Sequence, residues 1–222
     1  VITGIGTNRL EIIGVENLDG GEWSIISDHI DIGGLIVAAA VTNGEILIKN
    51  AIPQHMGQIL NYFSKMNLKV EIRGEDIFVP ANQDLVCKLN FKGDIDKVND
   101  WAWPAYPVDL IPQALVLALA AKGTMRIYSN MYETQLLYFE QLIALGAKMI
   151  MANPHQIITF GKTQFKGAKV VAPSIIQGIH SIILAALAAN GTTVIENAEM
   201  ISRRFPDLIT NLTKLGGKIE QV

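Results

Sequence analysis

One cysteine in 222 residues, Cys87, excludes a disulfide framework, a CxxC redox pair and a thiolate zinc site. A reducing, cytoplasmic compartment is expected. The four histidines, His29, His55, His155 and His180, show no metal-ligand spacing, and no Gly-rich phosphate loop is present, so neither a metal nor a cofactor is expected. Only 18% of the residues are charged while half are hydrophobic, which excludes a disordered chain. A formal charge of −3 gives no general attraction to nucleic acid or to an anionic membrane, so any anion site must be local. Long apolar runs are also missing. The stretches around 114–121 and 182–189 are about half of the ~20 residues that a membrane span needs. The chain opens at Val1, inside the strand-like run "VITGIGTNRLEII", without a basic, apolar leader, and reads as a piece of something longer.

What is present is repetition. "VAAAVTNGEILIKN" at 37–50, "LALAAKGTMRIYSN" at 117–130 and "LAANGTTVIEN" at 187–197 share an apolar helix end, a glycine and a β-branched run closing on Asn50, Asn130 and Asn197. An amphipathic stretch follows each one and stops at Asn67, Gly146 or Gly216, residue types that tolerate the left-handed backbone ending a helix. Then come Lys69, Lys148 and Lys218, each followed by a strand. Closing strands "EDIFV" and "HQIITF" complete the first two units, and "NRLEII" at 8–13 is the same closing strand of an earlier copy. Leader strands are expected at "EWSII", around "DKVND" and at "GAKVVA". Each unit therefore reads βαβαββ.

The first helix of each unit, "GLIVAAAV", "QALVLALAA" and "HSIILAALAA", has no polar face, which requires burial on every side. The second has one apolar stripe (Leu136, Phe139, Leu142 and Ile143 in the middle unit) and covers an outer face. Three repeated units with their apolar helices at the centre predict an inside-out α/β domain.

"PAYPVDLIPQ" at 104–113, "MYETQLLYFEQLIALGAKM" at 131–149, "ANGTTVIENAEMISRRFPDLITNLTKLGGKI" at 189–219 and "SDHIDIGGLIVAAA" at 27–40 carry a family likeness. The sequence resembles the C-terminal half of the enolpyruvyl transferases. It is more similar to the branch that transfers the enolpyruvyl group of phosphoenolpyruvate to the 3-hydroxyl of UDP-N-acetylglucosamine, for peptidoglycan synthesis, than to the branch acting on 3-phosphoshikimate. The resemblance implies two inside-out domains with the substrates between them. Residues 1–32 would be the tail of a first domain plus the crossover, and 33–222 a second domain with repeats at about 33–80, 95–162 and 167–222. It also implies that an acid cysteine, its loop and an active-site lysine belong to the N-terminal half, which is the expected partner, so that this piece alone is inactive. Cys87 is in the wrong repeat for that role and reads as a buried thiol.

Asp109, at the start of the second apolar helix, suits a helix-start carboxylate favoured by the dipole. The resemblance instead implies the base that takes the sugar hydroxyl proton. Arg203, in "MISRRFPD", is either a solvated loop arginine or, in family register, the arginine that grips phosphoenolpyruvate; Arg204 falls where the family often has Gly. Met131 and Tyr132 match positions lining the uridine pocket, or pack in the core. Asp28 and Asp31 match acids of the crossover, or cap a helix. The family arginine after "YET" is Gln135 here, and the Asp and Arg expected near "PSIIQG" are Ile175 and Gln177. Three neutral residues in place of charges leave a second expectation open, a non-catalytic paralogue with a nucleotide-sugar pocket.

Overall fold

The three polar-free segments are helices, α1 (His29–Val41), α3 (Ile111–Ala120) and α5 (Ile176–Leu187), and they pack on one another at the centre of the molecule. This computed structural model describes residues 1–133 and 135–221; Thr134, within the second unit, and Val222, at the end of the third, lie outside them. All ten residues of α3 are buried, including Gln113. Pro112 stands in its first turn, where the missing N–H costs nothing. A helix buried all round needs close approach somewhere, and Gly34 of α1 supplies it. A Cβ there would lie 2.5 Å from Cε1 of His180 on α5.

Around these helices lie the strands. β3 (Ile46–Ile48), β4 (Glu71–Arg73) and β5 (Asp76–Val79) form one sheet in the order β3-β5-β4. β6 (Lys97–Asn99), β7 (Thr124–Tyr128), β8 (Met149–Asn153) and β9 (Gln156–Phe160) form another, in the order β6-β7-β9-β8. β10 (Lys169–Val171) pairs in parallel with β11 (Val194–Glu196), as β6 does with β7. In both cases a buried helix links the two parallel strands. β7 turns Met125 and Ile127 inward and keeps its other residues half-buried, the period-two pattern of a sheet covering a core on one face.

The second helices, α2 (Gly57–Ser64), α4 (Phe139–Ala144) and α6 (Leu208–Lys214), are short and bury single stripes: Ile59 and Phe63, Leu142, and Leu212. Each is followed within three residues by its expected left-handed residue. Asn67, Gly146 and Gly216 have φ of 59°, 93° and 102°. Among the described residues no helix is long and apolar enough to cross a membrane.

Three expectations need correction. "EWSII" is not a strand: β3 pairs only with β5, and Trp23 and Ile25 are 90% and 95% exposed. Without a ladder partner, β-propensity alone does not make a strand. Residues 219–221 likewise carry no strand, whereas β4 and β8 each pair with the closing strand that follows. The α4 stripe is narrower than its pattern. Leu136, ahead of α4, and Leu142 are fully buried and Phe139 packs on the core, but Ile143 is 43% exposed, so it lies off the inward stripe. "NRLEII" contributes β2 (Glu11–Ile12), which forms a small antiparallel pair with β1 (Ile2–Thr3).

Candidate active site

The start of α1 and the turn leading into α3 meet at a cleft of about 530 Å³. One wall is the crossover, residues 25–30; the others are Trp101–Trp103, the turn before α3, Met131 and Arg204. The loop entering α3 is held by a bond from Trp101 N–H to the Tyr106 carbonyl (3.1 Å). The buried Tyr106 hydroxyl in turn donates to the Leu110 carbonyl (3.0 Å).

Asp109 lies on a 3₁₀ turn, Val108–Leu110, that runs directly into α3. Asp109 thus stands in the first turn as a helix-start carboxylate, but neither the turn nor α3 has a side-chain cap. Its Oδ1 instead accepts from Nε2 of Gln177, in the first turn of α5, at 2.9 Å. A carboxylate has about four acceptor sites, so one bond to a neutral amide leaves capacity to take a proton from a ligand hydroxyl. Gln177, one of the neutral departures, thus aims the candidate base.

Asp28 does two jobs. Its Oδ1 caps α1 by accepting from Ile30 N–H at 2.8 Å, and its Oδ2 forms an ion pair with Arg204. Burial opposes the charge on Asp28, but the Arg204 hydrogen bond, the Ile30 N–H and the guanidinium charge together hold its pKa below the ordinary carboxylate value. Asp31, one turn in, is pushed the other way by burial and by the charge of Asp28. For Arg204, burial works against the charge. The bond to Asp28 and the fields of Asp28, Asp31 and Asp109 outweigh it, and the guanidinium pKa is raised.

Arg203, the expected grip on phosphoenolpyruvate, is exposed and does not line the cleft; Arg204 does, and among the described residues it is the one Lys or Arg there. Arg203 closes a 3₁₀ turn, Glu199–Arg203, and Phe205 is driven into the core at 5% exposure. One residue along such a turn is a rotation of about 120°, so adjacent arginines face different ways. Met131 lines the cleft, 42% exposed; Tyr132 is 53% exposed and outside it. Met131 is placed by the buried Asp100, whose carboxylate accepts from the N–H groups of Asn130 (2.6 Å) and Met131 (3.2 Å). Gln135 is buried, with Nε2 unpartnered among the described residues, and Ile175 packs against the core at the start of α5.

His180 lies inside α5 as a buried core residue. It is 2% exposed, shares Nδ1 with Nε2 of Gln113 (3.0 Å) and lies against Phe205, ring centroids 4.7 Å apart. Burial, then the charge of Arg204, pushes its pKa down to about 4, so the ring is neutral. Cys87 is buried, and burial pushes its thiol up to about 11. The two tryptophans in "WAW" also belong to the site. Trp101 and Trp103 border the cleft at 62% and 60% exposure, and Trp103 leans on His29 (5.4 Å). Their signal was their position, directly ahead of the turn that carries Asp109.

An inside-out α/β domain with a carboxylate at the entry to a buried helix and a guanidinium lining the same cleft defines the class, an enolpyruvyl-transferase-type domain. The profile of EPSP synthase (3-phosphoshikimate 1-carboxyvinyltransferase) matches residues 1–212, and the chain belongs to that family. UDP-N-acetylglucosamine 1-carboxyvinyltransferase of Borreliella burgdorferi is 37% identical over 221 residues, covering 100% of this chain and 52% of the relative. The protein of that name from Bacteroides thetaiotaomicron is 35% identical over 224 residues, 51% of its length. The chain therefore spans about half the length of these curated relatives. Among solved structures, the enolpyruvyl transferase NikO of Streptomyces tendae superposes with a TM-score of 0.76 at 19% identity, over 88% of this chain and 44% of that one. EPSP synthase of Acinetobacter baumannii gives 0.73 at 17% identity, over 99% and 52%. At such identities these two establish the fold.

Proposed function

We propose that the intact protein transfers the enolpyruvyl group of phosphoenolpyruvate to the 3-hydroxyl of UDP-N-acetylglucosamine, the step that commits the sugar to peptidoglycan. The observation that carries this is the alignment of the whole chain, at 35–37% identity, with relatives named for that reaction. In the addition, the sugar oxygen bonds to C2 of phosphoenolpyruvate, its proton passes to Asp109, and C3 gains a proton. In the elimination, the C2–phosphate bond breaks and C3 loses a proton, restoring the double bond. Asp109 serves as base and Met131 borders the uridine from within the cleft, while Arg203 and Tyr132, exposed outside it, contact the phosphoenolpyruvate anion and the uridine only when the ligands extend beyond the cleft towards the other half. The acid for C3 and the remaining cations come from the half of the relatives' length that this chain does not span, so the 222 residues alone give no turnover.

Phosphate release from the two substrates by the intact protein is the test. Asp109→Asn is expected to lower kcat by about 10²–10⁴ with sugar-nucleotide affinity nearly kept; a parallel loss of both refutes the base assignment. One observation favours a second reading, a non-catalytic nucleotide-sugar binder: Gln135 and Ile175 are neutral and turned into the protein. A folded protein that binds UDP-N-acetylglucosamine and releases no phosphate would establish it.

A further inference from the structure

The Arg204–Asp28 pair joins residues 176 apart and ties the crossover to the third unit; the other ion pairs among the described residues bridge segments far closer in sequence. Both side chains are about one-third exposed, so screening is partial. Arg204 is also backed from behind. Its guanidinium lies over the Phe205 ring at 4.9 Å, Phe205 lies against His180, and His180 is bonded to Gln113 of α3 and packed on Gly34 of α1. The chain of contacts is a closed circuit. It leaves α1 at its cap, Asp28, crosses to the third unit, and returns through His180 to α1 at Gly34.

We propose that Arg204 is a positioning residue: through Asp28 it straps the crossover wall against the third unit and so fixes the mouth of the cleft in which Asp109 stands. The other charged or titratable groups around that mouth are Asp31, His29 and Asp109; of these only His29 favours the Asp28 charge, through space and as the smallest of its causes, with no hydrogen bond to the carboxylate. The guanidinium is already engaged, which suits it to shaping the site more than to chemistry. Its kinetic consequence rests on the function proposed above.

Two variants isolate the strap. Asp28→Asn keeps an oxygen to cap α1 and removes the charge; Arg204→Gln removes the other partner. In the intact protein, each is expected to raise the KM for UDP-N-acetylglucosamine about tenfold while kcat changes by less than about threefold. The double variant should be no worse than either alone, and Arg204→Lys should recover most of the loss. Amide exchange across residues 25–30 should quicken in both single variants. Additive losses in the double variant, a fall in kcat at constant KM for Arg204→Gln, or unchanged exchange would each overturn the strap. Should the unsubstituted protein release no phosphate, the transferase reading fails by itself. The exchange experiment then still decides whether Arg204 holds the crossover.

Discussion

Replacing Gly34 with alanine sets two effects of opposite sign against each other. Alanine in a helix interior is favoured over glycine by about 1 kcal/mol, and Gly34 is within α1, so propensity alone predicts stabilisation. The added Cβ, however, would lie 2.5 Å from Cε1 and 3.1 Å from Nε2 of His180, where carbon contacts settle at about 3.5–4.0 Å. Something must move by about 1 Å. The ring has little room, being bonded to Gln113 and packed on Phe205 at the junction of three buried helices. Overpacking of a core costs about 1–3 kcal/mol, and a ring fixed on three sides belongs at the upper end. The net loss is therefore about 2 kcal/mol, a fall in Tm of about 4–8 °C for a domain of this size. Gly57→Ala provides the contrast: no atom lies within 4 Å of its Cβ, in the first turn of α2, so stability should hold or rise by up to about 0.5 kcal/mol. Thermal and urea unfolding of both variants in the intact protein measure this. His180→Ala, itself destabilising, should remove the penalty of Gly34→Ala when the two are combined. A Gly34→Ala protein as stable as the parent, or a penalty that persists without the imidazole, would refute the packing described for the helix junction.

His180 also predicts a pH dependence. Its folded pKa of about 4 is below the ordinary 6.5, so the unfolded chain takes up a proton that the folded one refuses. The contribution is fully present above pH 6.5 and is lost as pH falls towards 4, about 3 kcal/mol over that window; a urea midpoint that stays flat from pH 7 to 5 would contradict it. Gly146→Ala places a side chain at φ 93°, with its Cβ 3.3 Å from the Gln164 carbonyl oxygen, and should cost about 1–2 kcal/mol in the same unfolding assay. An unchanged midpoint would mean that α4 does not depend on the left-handed stop.

Much of the architecture could be read along the chain because its causes are local. A helix without a polar face, as in "QALVLALAA", can only be buried, and three of them at repeated spacing predict the central cluster of α1, α3 and α5. Asn67, Gly146 and Gly216 end their helices because few other residue types adopt that backbone. "EWSII" has strand composition, yet a strand exists only where another edge receives its N–H and C=O groups, and composition cannot supply the edge.

The site depended still more on the folded molecule. Asp109 was visible as a carboxylate at a helix start, but the amide that aims it, Gln177, is 68 residues away and looked in the sequence like a lost charge. Arg203 and Arg204 are chemically identical neighbours. Burial of Phe205 and the carboxylate of Asp28, brought from the far end of the chain, turn Arg204 into the cleft. By itself the sequence determined which segments are buried and where helices stop, since hydrophobic period and backbone strain act over a few residues. Only the tertiary structure decided which of two adjacent side chains faces the cleft and which distant group holds it there, since those outcomes are sums of contacts between residues that meet only after folding.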